Sequence, residues 1–284
     1  MPVSGRVPFS PGRGGPPVSQ TALSVGHVLR SLVDAYPLAW ADSWDAVGLL
    51  VGDPSWRARR ALVTLDANAS AVDRAIEAGC DVLVTHHPPF LEPLDRVTPA
   101  TDQGALVLRA ARAGVAIISM HTNLDRSPAG ATALPEFLGL AVIRPLEPQI
   151  DGLPSSVRMG RLCTVERTTL EAFASRIGST LGVWPRVWGD RHAPIQSVAV
   201  GNGSVRSLIP ASRDARADVL LGGEVRYHDA LDAVASGLAI IEAGHDATEW
   251  PMVALLATAV RGVLGDDAVI EEPASIGWWT AKGE

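Results

Sequence analysis

The chain has few cysteines and no long apolar run, and these two absences limit the classes of protein to which it can belong. It contains two cysteines, Cys80 and Cys163, among 284 residues. Two cysteines are too few for a disulfide framework or a thiolate metal site. No stretch is long and apolar enough to span a bilayer. We therefore expect a reduced, cytoplasmic protein that does not interact with a membrane.

Charged residues are also few, and their net negative charge limits the kinds of binding partner. Charged residues make up 19% of the chain, and the formal net charge is −7. An acidic balance argues against a surface that binds nucleic acid generally, and it leaves room for a local basic patch. Hydrophobic residues make up 47% of the chain, which is enough to build one large domain or two small ones.

The first twenty residues differ in composition from the rest. Residues 1–20 are rich in Pro, Gly and Ser, and they lack the central apolar region of a secretory signal. We expect this segment to be a disordered tail that is dispensable for folding and metal content.

Beyond the tail, strand-like and helix-like segments alternate, which predicts an α/β fold. The predicted helices cover 22–36, 70–79, 102–114 and 170–181. The predicted strands cover 61–65, 81–84, 115–120, 157–165 and 237–241.

The second half of the chain repeats the order of the first. The strand-like segments 60–66, 80–85 and 113–118 have counterparts at 196–201, 217–222 and 236–241. α/β strands can resemble one another by chance, but here both the order and the placement of polar motifs agree. We therefore predict duplicated strand-helix-strand units, with one site built from both copies.

The intervening segment suggests a second lobe. We predict a discontinuous metal-binding α/β domain made of 21–128 plus 238–284, and a second α/β lobe made of 129–237.

Five of the seven histidines lie in three short motifs, and two of these motifs also carry carboxylates. The motifs are Thr85-His86-His87-Pro88, His121-Thr122-Asn123-Leu124-Asp125, and Tyr227-His228-Asp229 followed by Gly244-His245-Asp246-Ala247-Thr248-Glu249. Imidazole and carboxylate together suit borderline and hard divalent ions. There are more candidate ligands than one tetrahedral ion needs, so a carboxylate-bridged pair of ions is the natural alternative. The first two motifs follow predicted strands, where ligands collect in open α/β sheets.

Each motif also has a structural interpretation. His86 and His87 are adjacent, so on a strand they point to opposite faces and suit two neighbouring ions. The alternative is that one of them packs in the core or caps a neighbouring element. Asp125 alone would be a turn former or helix cap. His121 is either a ligand or a residue that orients Asp125, and we favour the orienting role.

Two further segments carry alternatives. His245 and Glu249 lie four apart, so on a helix they share a face and Glu249 can bridge two ions; the alternative is an ordinary exposed pair. The segment 201–204, Gly-Asn-Gly-Ser, could cradle a phosphate, but a tight turn is the favoured interpretation.

Five segments in order resemble one family. They are 42–49, 85–88, 121–125, 223–230 and 243–249. In this order they are similar to the Nif-three-like family, whose members are also called GTP cyclohydrolase I type 2 homologues. The resemblance extends from Thr21 to Val260. Departures are Ala46, where the family often has Asn, the segment 201–204, where the family has a more glycine-rich loop, and the unfamiliar ending 277–280.

The resemblance implies a two-lobed α/β protein with a dinuclear centre, usually assembled as a toroidal homohexamer. Transferred motif by motif, it implies two divalent ions per chain, of Zn, Mn, Fe or Mg. The implied metal ligands are His86, His87, Asp125, His245 and Glu249.

Two function classes follow. The first is a metal-dependent hydrolase acting on a nucleotide or phosphoester, since two ions generate hydroxide and clamp an oxyanion. His121, Glu224 and His228 are its candidate proton-transfer residues, with Glu224 favoured because it occupies the place of His87 in the repeat. The second is a non-catalytic metal-binding scaffold for protein partners. No nucleophilic Ser or Cys constellation points to covalent acyl chemistry.

Overall fold

The computed structural model describes residues 22–272 and 278–279, which form two β-sheets covered by helices. The predicted tail at residues 1–20 lies outside the described residues. The strands are β1 (Gly48–Val51), β2 (Ala61–Asp66), β3 (Val82–His87), β4 (Ala116–Ser119), β5 (Ala141–Pro145), β6 (Arg161–Thr169), β7 (Arg186–Trp188), β8 (Pro194–Val200), β9 (Val219–Gly222), β10 (Ala239–Glu242) and β11 (Val269–Glu271). The helices are α1 (Val25–Ala35), α2 (Ala69–Glu77), α3 (Asp102–Ala113), α4 (Thr122–Arg126), α5 (Pro128–Phe137), α6 (Leu170–Leu181), α7 (Ile209–Asp214), α8 (Tyr227–Ala235) and α9 (His245–Leu264). The predicted α/β class is confirmed.

The first sheet has the order β1-β4-β3-β2-β11. Its strands β11, β2, β3 and β4 are parallel, and β1 pairs with β4 in the antiparallel direction. Helices α1 and α9 pack on one face, and α2 and α3 pack on the other. Because both faces are covered, the inner strands are continuous apolar runs instead of alternating ones.

The second sheet has the order β5-β6-β8-β9-β10-β7. Strands β8, β9 and β10 are parallel, whereas β5, β6 and β7 pair in the antiparallel direction. Helix α6 packs on one face, and α7 and α8 pack on the other.

The two sheets share a topological pattern. In each, three successive parallel strands lie side by side, and an antiparallel strand pairs with the third: β1 with β4, and β7 with β10. This pattern agrees with the sequence repeat. A common origin of the two halves by duplication stays a prediction.

Helix ends follow local chemistry. Thr101 Oγ1 accepts a hydrogen bond from the Gly104 amide at the start of α3, and Gly114 adopts φ +72° at its end. The predicted helices 102–114 and 170–181 are confirmed as α3 and α6. No helix among the described residues is long and apolar enough to cross a bilayer.

Two expectations differ from the structure. The segment expected as a strand at 157–165 begins its strand only at Arg161, because the chain turns through Gly160 at φ +65°. The strand expected at 237–241 was assigned to the first domain, but β10 pairs with β9 in the second sheet. Within the described residues after β10, α9 and β11 are the elements that return to the first sheet. The chain crosses between the sheets at Gly244, whose φ is +93°. The domain division itself stays a prediction.

Candidate metal centre

His86 and His87 end strand β3 and face a common centre. His86 is fully buried, and its Nδ1 lies 2.9 Å from the carbonyl oxygen of Met120. His87 is partly buried, and its Nδ1 lies 2.8 Å from Oδ1 of Asp66, its neighbour in the β2–β3 register. In both rings Nδ1 contacts an oxygen that only accepts, so Nδ1 carries a hydrogen and Nε2 is the nitrogen that can bind either a proton or a metal ion.

Asp125 and His121 follow strand β4. Asp125 lies on α4, and its Oδ1 lies 3.5 Å from Nε2 of His86. The same oxygen accepts a hydrogen bond of 2.6 Å from Nδ2 of Asn202. His121 contacts Asp45 through Nδ1 at 2.8 Å. The residue that orients Asp125 by a hydrogen bond is therefore Asn202, where we had expected His121.

His245 and Glu249 occupy the first turns of α9, as the spacing predicted for a helix. Nε2 of His245 lies 3.1 Å from Oε2 of Glu249, and Nδ1 lies 3.4 Å from Oε1 of Glu224. Glu249 has a relative exposure of 4%, which excludes the alternative of an exposed surface pair.

Glu249 lies between the two histidines of β3. Oε1 is 3.7 Å from Nε2 of His86, and Oε2 is 2.8 Å from Nε2 of His87. The rings of His87 and His245 lie 5.3 Å apart. The expected convergence of the three motifs, which are distant in sequence, is confirmed.

The arrangement places acceptors against acceptors. Imidazole lone pairs and carboxylate oxygens face one another inside a buried cluster, and a positive charge between them is needed to relieve the repulsion. His86 Nε2 and Glu249 Oε2 are buried and have no aligned hydrogen-bond partner among the described residues. Two groups of side chains have the spacing to hold an ion: His86 with His87 and His121, and His87 with His245 and Glu249. These residues fit a divalent cation.

The protonation equilibria show the same demand for positive charge. Burial alone would lower the pKa of His87, but its contacts with Asp66 and Glu249 raise that pKa to about 10. Burial would raise the pKa of Glu249, but the neighbouring imidazoles hold that pKa well below its usual range. Protons supply the positive charge in the metal-free chain, and metal ions would replace them.

The three proton-transfer candidates lie in different surroundings. The ring of His121 lies 5.2 Å from that of His86, inside the cluster. Glu224 is largely exposed and contacts His245. His228 is exposed on α8 and contacts Tyr227. Glu224 thus lies at the solvent-facing edge of the cluster, and its preference as the proton-transfer residue stays a prediction.

Three residues that help to build the site carried little signal in the sequence. Asp45, Asp66 and Asn202 each contact a side chain of the cluster. Asp66 ends a strand beside His87, so the strand-end rule could have found it. Asn202 lies in a Gly-rich turn, where asparagine is an ordinary turn former.

The segment 201–204 is the tight turn that the sequence favoured, with Gly203 at φ +55°. The amide of Gly203 donates to Thr248 Oγ1 at 3.1 Å, so this amide is already used within the protein. Gly203 packs directly against the cluster, whereas Asn202 and Ser204 line the cavity in front of it.

The cluster opens into a cavity of about 930 Å³. His87, His121, Asp125, His245 and Glu249 line one part of it. Other lining residues are Trp44, Pro88, Leu91, Arg206 and Arg213. The cavity therefore gives a small molecule access to the cluster.

The protein is therefore an α/β protein with a candidate His/Glu metal site at the carboxyl ends of its strands. A family model described as Duf34/NIF3 (NGG1p interacting factor 3) matches residues 23–272, and the chain belongs to this family. The resemblance read from the five motifs is confirmed.

Individual relatives agree with this assignment. A GTP cyclohydrolase 1 type 2 homolog from Streptomyces coelicolor is 36% identical over 233 residues, which cover 80% of this chain and 82% of the relative. NIF3-like protein 1 from Drosophila melanogaster is 28% identical over 228 residues, covering 78% of this chain and 76% of the relative. The crystal structure of Staphylococcus aureus hypothetical protein SA1388 matches with a TM-score of 0.83 and 25% identity, covering 92% of this chain and 100% of that chain.

Proposed function

We propose that the protein is a dinuclear metal-dependent hydrolase acting on a nucleotide or phosphoester. The observation that supports this most strongly is the position of Glu249. Its two carboxylate oxygens lie against two different histidines of β3, His86 and His87. A carboxylate in this position is suited to bridge two cations.

The cluster divides into two half-sites around Glu249. The His86 half-site consists of His86, Asp125 and Oε1 of Glu249; the His87 half-site consists of His87, His245 and Oε2 of Glu249. Each half-site would hold an ion with three protein groups, which is the number found in catalytic zinc sites. The imidazole-rich donor set favours Zn or Fe over Mg. Two such ions, when bound, supply a nucleophile near neutral pH and stabilise a developing oxyanion.

His121 is the residue best placed to hold a proton near the reacting atoms. Its Nδ1 is bonded to Asp45, and its ring lies beside both His86 and His87. Because Asp45 accepts only, the free lone pair of His121 is on Nε2, which is the atom that would accept a proton. His121 also lines the cavity, so a bound substrate can reach it.

The substrate class rests on the cavity and on the names of relatives. A volume of about 930 Å³ accommodates a nucleotide-sized molecule. Trp44 lines the same cavity with an exposed indole, which can stack on a base. Several relatives are called GTP cyclohydrolase 1 type 2 homolog, and this name is our reason for testing nucleotides first.

The test is elemental analysis of the purified chain, followed by a screen of nucleotides and phosphoesters with the same preparation. We expect two divalent ions per chain and turnover that His245→Ala abolishes. The matched control is His192→Ala, because His192 is an exposed histidine in the turn before β8 and has no place in the cluster. Two ions without turnover of any substrate would contradict hydrolysis and favour a scaffold.

A non-catalytic scaffold is the second candidate. The family description, NGG1p interacting factor 3, refers to a protein interaction and is the observation that favours it. A scaffold would bind metal for stability. Its affinity for a protein partner would be the same in wild type and in His121→Ala.

We further propose a toroidal homohexamer in the cytoplasm. Exposed apolar side chains support self-association: Ile143 on β5 is 57% exposed and Trp184 is 79% exposed. β5 is also an edge strand of the second sheet, so its backbone can pair with another chain. Light scattering that gives a monomer mass at micromolar concentration would contradict the hexamer.

A further inference from the structure

We propose that the turn at 201–204 positions the two carboxylates of the metal centre, with Asn202 acting on the His86 half-site and Gly203 on both half-sites. This inference rests on the proposed two-metal centre. The turn follows β8 of the second sheet, whereas Asp125 follows β4 of the first. Both sheets therefore build the centre.

Gly203 leaves the space that Glu249 occupies. A Cβ atom at position 203 would overlap Oε1 of Glu249 and would lie 3.0 Å from Nε2 of His245. The φ of +55° also disfavours any residue with a side chain. Because both oxygens of Glu249 serve the cluster, displacing its carboxylate disturbs both half-sites.

The backbone of the turn cannot easily retreat from Glu249. The Gly203 amide donates to Thr248 Oγ1, and the Gly203 carbonyl accepts from the amides of Gly223 at 2.8 Å and Glu224 at 3.0 Å. Thr248 precedes Glu249 on α9. The turn is thus tied to the helix that carries the bridging carboxylate, and the strain of an added side chain must fall on Glu249.

Asn202 acts on the other carboxylate. Its Nδ2 donates to Oδ1 of Asp125 at 2.6 Å, and this is the oxygen that lies 3.5 Å from Nε2 of His86. An amide at this distance fixes the carboxylate rotamer and leaves a second lone pair on Oδ1 for an ion. Since Asp125 belongs to one half-site, Asn202 controls one ion.

The test counts ions per chain after loading with Zn²⁺ and dialysis against a weak chelator. Wild type should keep two ions, Gly203→Ala none, and Asn202→Ala one. Gly79→Ala is the matched backbone control, because Gly79 has φ +67° with no atom within 4 Å of an added Cβ. Asn68→Ala is the matched side-chain control, because Asn68 bonds the Ala71 amide at a helix start. Both controls should keep two ions.

The stoichiometries separate positioning from general destabilisation. A variant that merely loosens the fold loses ions in proportion to its unfolded fraction, as circular dichroism would report. Two retained ions in Gly203→Ala would overturn the role of Gly203, and zero or two in Asn202→Ala would overturn the role of Asn202. If Gly203→Ala did not fold, Asn202→Ala would decide alone. Wild type without ions would instead contradict the two-metal centre itself.

Discussion

Nδ1 of His121 lies 2.8 Å from Oδ1 of Asp45, and this bond leaves Nε2 as the free nitrogen of a ring beside the metal cluster. Burial would raise the pKa of Asp45, but hydrogen bonds from His121 and Thr122 outweigh it and lower that pKa to about 2. Asp45 is therefore ionised at neutral pH and holds His121 in one tautomer.

His121→Ala should weaken metal binding without abolishing it. We expect the affinity to fall by roughly ten- to a hundredfold, because the His121 ring packs beside His86 and His87 and its loss removes a neighbour that holds these two ligands in place. Titration of the metal-free variant with Zn²⁺ measures the change, with the exposed His192→Ala as the histidine control. A variant that held no ion at all would identify His121 as a primary ligand, with its Nε2 completing the group it forms with His86 and His87.

Glu242→Gln should destabilise the fold away from the metal centre. Glu242 is buried and accepts hydrogen bonds from Arg186, Trp188 Nε1 and the Val225 amide. Bonds to a buried charged group contribute roughly 1.5–3 kcal/mol, so the free energy of unfolding should fall by about that amount at neutral pH. Urea unfolding of both proteins measures the difference.

The pH dependence of that difference has a definite sign. Burial raises the pKa of Glu242, but hydrogen bonds from Arg186 and Trp188 outweigh it and hold the pKa below its ordinary value of 4.5. A lowered folded pKa contributes stability above the unfolded value and loses it as pH falls through the folded pKa. Wild type and Glu242→Gln should therefore converge at acid pH, whereas the exposed Glu166→Gln control should match wild type throughout. A gap that widened toward low pH would contradict the charged network.

Removing metal should lower the melting temperature of wild type. Ions that bind only the folded chain stabilise it by about 2.7 kcal/mol per site when free metal is about a hundredfold above Kd. We expect a strong chelator to lower Tm by several degrees. Glu249→Ala should melt at one temperature with and without chelator. An equal chelator effect in both proteins would show that the ions bind elsewhere.

Local pattern was enough to predict the strands that carry the cluster. His86, His87 and Asp125 follow buried apolar runs, and parallel strands in one sheet bring their carboxyl ends to one edge. The spacing of His245 and Glu249 predicted one helical face, and the residues lie in the first turns of α9. These relationships depend on residues close in sequence or on a repeated sheet rule.

Contacts between the sheets were beyond such patterns. The hydrogen bond from Asn202 to Asp125 joins residues 77 positions apart on different sheets. β10 could pair with a strand of either sheet, and the outcome depends on which neighbouring strand it packs against better. Its four-residue apolar run does not contain that information. For the same reason, the sequence suggested that His121 orients Asp125, whereas the packing of the sheets assigns that bond to Asn202.

The bridging role of Glu249 is the central claim, and anomalous diffraction from crystals grown with Zn²⁺ tests it most directly. We expect two anomalous peaks per chain about 3.5–4 Å apart, one beside each carboxylate oxygen of Glu249. Crystals of Glu249→Ala grown in the same way should show neither peak. A single peak in wild type, or two peaks retained in Glu249→Ala, would contradict a centre bridged by this residue.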